Sequence, residues 1–246
     1  MPTDSTPRRE FLGQIAASAM VLAGACASPG AGPATTPSPA PGSPLPQPSG
    51  AEGAPLWDDS WFGRLTAKHK AVFDSPQIEE GLVLANASGY ISGMRDAAGA
   101  GEHDVQAVVV VRHGAIPMAF NDAMWQKYEI GKDKKIKAPR SDDWATRNPY
   151  VSGGGGRGRA TDGTSSSADR PQANFAWLAS HGHILLGCDL ATHNYANVIA
   201  RNFKLEQRSV YEELKSNLIP GIILQPTGVY AALRAQEAGC QYIRST

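Results

Sequence analysis

Two residues of this 246-residue chain stand out as able to do chemistry: Cys188 in "GHILLGCDLATHN" and His113 in "VVVVRHGAI". Each closes an apolar run, and each is followed by a small or polar residue. A cysteine at the end of a strand and just before a helix sits near that helix's amino end. The exposed N–H groups and partial positive charge there favour a thiolate. A protonated histidine within reach would favour it further. His113 is therefore the expected base or thiolate partner of Cys188. Asp189 opposes the thiolate as a like charge unless it caps the helix and turns away.

Other readings of Cys188 are an inert core thiol and a metal ligand. His181 and His183 lie at the start of the same strand, and five residues at about 3.3 Å each put His183 roughly 16 Å from Cys188. Zinc ligands must sit about 2 Å from the ion. Only Cys188, His193 and His113 could share a metal, so no metal site is expected. No cofactor is implied either.

The elements that position these residues follow from periodicity. "HKAVFDS" (69–75) reads as a first strand. In "IEEGLVLANASGYISGMRDAAG", Leu84, Ala87, Ile91, Met94 and Ala98 recur at helical spacing before Gly99 and Gly101. "VQAVVVVRHG" (105–114) is apolar at almost every position, as in a strand of a parallel sheet buried on both faces. "IPMAFNDAMWQKY" predicts a helix with Phe120, Met124 and Tyr128 on one side. "ANFAWLASHG" reads as a helix and "HILLGCD" as a strand, followed by helices in "THNYANVIARNF" and "RSVYEELKSNL". "PGIILQPTG" is a strand, "VYAALRAQEAG" a helix and "CQYIRS" a last strand.

This alternation predicts a single α/β domain. It has a mostly parallel five-stranded sheet in a three-layer sandwich and right-handed crossovers. Residues 131–172 lose the pattern and predict a long exposed insertion, with its Gly/Ser-rich part disordered. In parallel sheets ligands sit beyond the carboxyl ends of the strands. That rule gathers His113–Gly114, Gly187–Cys188–Asp189 and Thr227–Gly228 into one candidate site. Gly187 and Gly228 would let a ligand approach the backbone closely, and Thr227 would donate a hydrogen bond.

The amino end sets the compartment. Arg8–Arg9 with Phe11 and Leu12 precede a short apolar stretch and the small-residue sites "AGA" and "ACA". About 15 residues cannot span a bilayer of about 30 Å. Residues 1–27 therefore read as a twin-arginine export signal, placing the protein in the periplasm or cell envelope. Cleavage leaves either Cys26, which could carry a lipid anchor, or Ser28. Residues 28–56 are rich in Pro, Ala and Ser and read as a disordered linker, leaving 57–246 as the domain. The chain has 23 basic and 23 acidic residues, so there is no electrostatic case for nucleic acid. Cys188 and Cys240 should not pair, since they fall at opposite edges of a parallel sheet and a disulfide needs Cα atoms within about 7 Å.

The stretches "VVVVRHGAIPMAF", "GHILLGCDLAT" and "LIPGIILQPTGVYAALRAQEAGCQYI" together resemble the DsrE/DsrF-like family of small sulfur-handling proteins. The likeness covers about 68–130 and 173–246, and the tail is its most specific part. It implies a flavodoxin-like sandwich, trimeric or hexameric assembly, and in some members a persulfide on a cysteine in sulfur relay. Carried to this chain, that is a persulfide carrier or sulfurtransferase-like role for Cys188, with a sulfur donor or acceptor protein, or a small sulfur species, as partner. The alternative is a non-catalytic oligomeric ligand-binding or scaffold module of the envelope.

Overall fold

A computed structural model describes residues 57–152 and 171–246. The stretch read as an export signal (1–27), the Pro-rich linker and the Gly/Ser-rich part of the insertion lie outside the described residues.

The described elements are helix α1 (Ser60–Gly63), strand β1 (His69–Ser75), α2 (Leu82–Ala98), β2 (Val105–Val111), α3 (Asp122–Lys127), α4 (Ile130–Asp133) and α5 (Phe175–Ser180). They continue with β3 (Ile184–Cys188), α6 (Asp189–Phe203), α7 (Gln207–Ser216), β4 (Ile222–Gln225), α8 (Gly228–Glu237) and β5 (Gln241–Arg244). The five strands form one sheet in the order β4-β3-β2-β1-β5, and every pair is parallel. This is the expected flavodoxin-like α/β sandwich.

Strand alternation divides the core into two layers. On one face Ala71, Phe73, Val109, Val111 and Leu185 pack with residues of α2, α6 and α7 such as Leu84, Ile199 and Leu214. On the other, Val72, Val108, Val110, Ile184 and Leu186 meet Trp61 of α1 and Ala231 and Ala235 of α8. β2 lies at the centre and is buried along nearly its whole length, which explains its unbroken run of valines. Crossovers between parallel strands are right-handed. The chain steps outward from β1 to β4 with its helices on the first face. It then returns to the far edge through α8, which must lie on the second.

Two expectations change. The helix expected after β2 is a 3₁₀ turn over His113–Ala119, followed by the short helix α3. Pro117 cannot donate to a continuing helix, and the Asn121 side chain restarts one by accepting the Met124 N–H. The expected face survives, with Phe120, Met124 and Tyr128 buried.

The first part of the insertion is also not a solvated loop. Ile130, Gly131, Ala145, Asn148 and Tyr150 are buried. Lys137 and Trp144 pair as an antiparallel bridge with the Lys137 ammonium 3.7 Å above the indole. Gly131 is required there: a Cβ would lie 2.1 Å from the Ala145 carbonyl oxygen. Asn148 pins the segment through its Nδ2, which donates to the carbonyls of Met118 (2.8 Å) and Phe120 (2.7 Å). Charge obscures this packing in the sequence, because the lysines and aspartates lie between buried residues such as Ile130, Gly131, Ala145, Asn148 and Tyr150.

At the amino end of β3, buried His183 accepts the Ala107 N–H at its Nδ1 (3.2 Å), so the neutral ring carries its proton on Nε2. Burial, with the charges of His181 and Arg95 adding, pushes its pKa down to about 4, from an ordinary value of about 6.5. Between those values the unfolded chain binds a proton that the folded chain refuses. Stability is therefore full above about pH 6.5 and falls as pH drops toward 4, by about 3 kcal/mol. Urea midpoints across this range should show that slope, and His183→Gln should flatten it.

Candidate functional site

β3 and β4 are neighbours whose onward connections leave to opposite faces, β3 into α6 and β4 into α8. Their carboxyl ends thus form the topological switch point at which open α/β sheets bind ligands. Cys188 pairs in register with Gln225, and the Leu190 N–H donates to the Pro226 carbonyl across the gap (3.3 Å). Two helices, α6 and α8, begin at this crevice.

Cys188 is the N-cap of α6. Its Sγ accepts the Ala191 N–H at 3.3 Å, and the Thr192 hydroxyl donates to its carbonyl at 3.1 Å. A thiolate would accept that N–H more strongly than a thiol. The residue is 2% exposed and packs in the larger core layer. Asp189 opens the helix but does not cap it. It turns to α7, where the buried Tyr211 hydroxyl donates to it at 2.8 Å. His193 approaches the same carboxylate at 3.6 Å and stacks on the Tyr211 ring at 3.6 Å. Burial and the Asp189 carboxylate hold the Tyr211 phenol above its usual range. Asp189 is thus spoken for by α7.

His113 is brought to the same edge but not to Cys188. It is exposed, with φ of 46°, and among the described residues its ring makes no hydrogen bond or ring contact. Thr227 N-caps α8 by accepting the Tyr230 N–H (3.0 Å), which leaves its hydroxyl proton free to donate. The room beside the glycines is filled by protein. A Cβ on Gly228 would lie 2.5 Å from Arg112 Cβ, and one on Gly187 would lie 3.0 Å from Leu224 Cδ2. One on Gly114 would lie 2.3 Å from Gln77 Oε1. These glycines serve packing at the edge.

No family model matches the chain, and no curated protein matches it. Among solved structures, it is similar to a protein of unknown function from Methanobacterium thermoautotrophicum. Identity is 15% over 72% of this chain and 98% of the other, with a TM-score of 0.35. The likeness adds nothing on function.

The most strongly built polar group at this edge escaped the sequence reading. Asp74, at the end of β1, accepts from Arg112 Nε (2.6 Å) and Nη2 (2.8 Å) and from the Tyr242 hydroxyl (2.6 Å). Burial alone would raise the Asp74 pKa, but the Arg112 and Tyr242 hydrogen bonds outweigh it and hold the carboxyl below its usual range. Each charge closes an otherwise apolar strand, "VFDS" and "VVVVRH". That is the available signal, because a charge in such a run must find a partner if it is buried.

Cys240 precedes β5 on the other side of β1 and is buried, and burial pushes its thiol up to about 11. Both described cysteines are free, as expected from their places in the sheet.

Arg112→Met should strand the Asp74 carboxylate and cost about 3–5 kcal/mol, measured by urea unfolding. Replacing both partners, Asp74→Leu with Arg112→Met, should recover most of that loss.

Proposed function

We propose that this is an exported DsrE-like protein of the cell envelope that carries sulfur on Cys188. The supporting observation is the Cys188 Sγ accepting the Ala191 N–H in the first turn of a 15-residue helix at the switch point of the sheet. In the step envisaged, the Cys188 thiolate attacks the outer sulfur of a donor persulfide. The donor S–S bond breaks, a new S–S bond forms on Cys188, and the donor leaves as a thiolate. The exchange involves no net oxidation and needs no bound cofactor. Thr227 is the hydrogen-bond donor nearest in kind to this task. His113, exposed in the turn after the neighbouring strand β2, serves as a base only by moving toward Cys188.

The second reading, a non-catalytic oligomeric ligand-binding or scaffold module, is favoured by the 2% exposure of Cys188 and by the filled spaces beside Gly187 and Gly228. Assembly as a trimer or hexamer belongs to both readings. Among the described residues no helix is long and apolar enough to cross a membrane. A membrane association would rest on a lipid at Cys26.

Iodoacetamide labelling of the native protein across pH separates the readings. The sulfur carrier should label at Cys188 with an apparent pKa below the free-thiol value of about 8.5. Protein from its own envelope should carry the mass of an added sulfur that Cys188→Ser abolishes. Absence of both would establish the second reading.

Export has its own test. Changing Arg8 and Arg9 together to Lys should leave precursor in the cytoplasm, and undiminished export would rule out the twin-arginine route.

A further inference from the structure

A well-formed concavity lies away from the carboxyl edge, where the ordered part of the insertion meets the start of α3 and the turn before β4. It is a cleft of about 610 Å³, within the range of small-molecule sites. Its walls include Pro139, Pro149 and Pro220 with Val151 and Ile219, and its polar margin carries Asp122, Thr146 and Arg147.

The walls are held rigidly. Asn148 donates to two carbonyls, accepts the Tyr150 N–H (3.0 Å) and gives its own N–H to Asp122 Oδ1 (2.9 Å). Three prolines fix the backbone around it. A cleft formed in advance avoids the entropy of ordering a loop when a ligand arrives.

The carboxamide and carboxylate groups of the margin already have partners. Asp122 has both oxygens engaged, Oδ1 by the Asn148 N–H and Oδ2 by Arg147 Nε at 2.6 Å. Asn121 is likewise used, its Oδ1 by the Met124 N–H and its Nδ2 by Asn217. Donors remain at the margin: the terminal nitrogens of exposed Arg147 and the hydroxyls of Thr146 and Ser152. Free donors beside an aliphatic wall match a ligand with an acceptor head and an apolar body. A bare inorganic anion would leave Val151, Pro139 and Pro220 facing water.

We propose that this cleft is a binding site for small monocarboxylates with an aliphatic body, the carboxylate on Arg147 and Thr146 and the chain against Val151, Pro139 and Pro220. It is independent of Cys188, so its failure leaves the sulfur reading untouched.

Calorimetry on the full chain with hexanoate, hexanol and inorganic phosphate tests it. Hexanoate should bind saturably, at least about tenfold more tightly than either of the others, since a charge-assisted hydrogen bond is worth that much or more. Arg147→Gln should weaken hexanoate by about tenfold. Ala123→Trp, at an exposed position on the cleft wall, should abolish it while the thermal midpoint holds. If Arg147→Gln does not fold, the Ala123→Trp result alone decides. No saturable hexanoate binding, binding indifferent to Ala123→Trp, or phosphate binding as tightly as hexanoate would each overturn the proposal.

Discussion

The handedness of its crossovers governs this protein. A right-twisted strand feeding a helix returns to a parallel neighbour in only one sense. Four strands laid down in order, β1 to β4, therefore commit their helices to one face. The fifth must travel back across the other face to reach β1. From this come the thick layer of α2, α6 and α7, the thin layer of α8 and α1, and the point between β3 and β4 where the chain turns over. Cys188 and Thr227 are brought together by topology, each capping the helix that leaves its own strand.

The thin layer explains two features that look unrelated. α8 meets the sheet through Ala231 and Ala235, small residues that let it lie close to all five strands but fill little volume. Trp61 supplies the missing bulk and is fully buried, although α1 has only four residues. The strap is fixed at its edges by Gln225 Nε2 donating to the Asp58 carbonyl (2.9 Å) and by the Tyr230 hydroxyl donating to Asp59 (3.0 Å). Close packing of α8 also makes Gly228 necessary, because the stem of Arg112 lies where a side chain would be. The same arginine holds Asp74, so the approach of α8 and the anchoring of β1 share one residue.

Much of this fold was legible in the sequence, and the reason differs by element. β2 and β3 are almost unbroken apolar runs, which parallel strands buried on both faces must be. α2 and α6 show helical spacing. The 3₁₀ turn after β2 was hidden because Phe120, Met124 and Tyr128 keep helical spacing across a real break at Pro117. The hairpin at Lys137–Trp144 was hidden because its stability rests on amide hydrogen bonds and a glycine, which leave no periodic trace. At the site, single-strand reasoning found the strand ends but could not pair them. Asp74 and Tyr242 stand 168 residues apart, and only the strand order makes them neighbours. The same limit applied to His113, which shares an edge with Cys188 without touching it.

That separation has a consequence for how the molecule is made. β1 pairs with β2 soon after both emerge, but its other edge stays open until β5 has been synthesised. Closing so long a loop is entropically slow, and meanwhile an unpaired strand edge can recruit another chain. Lys70 and Asp74 punctuate "KAVFD" with opposite charges at its two ends. The carboxylate that later anchors β5 thus serves first as a gatekeeper at the open edge, held by Arg112 alone while the strand waits for its last partner.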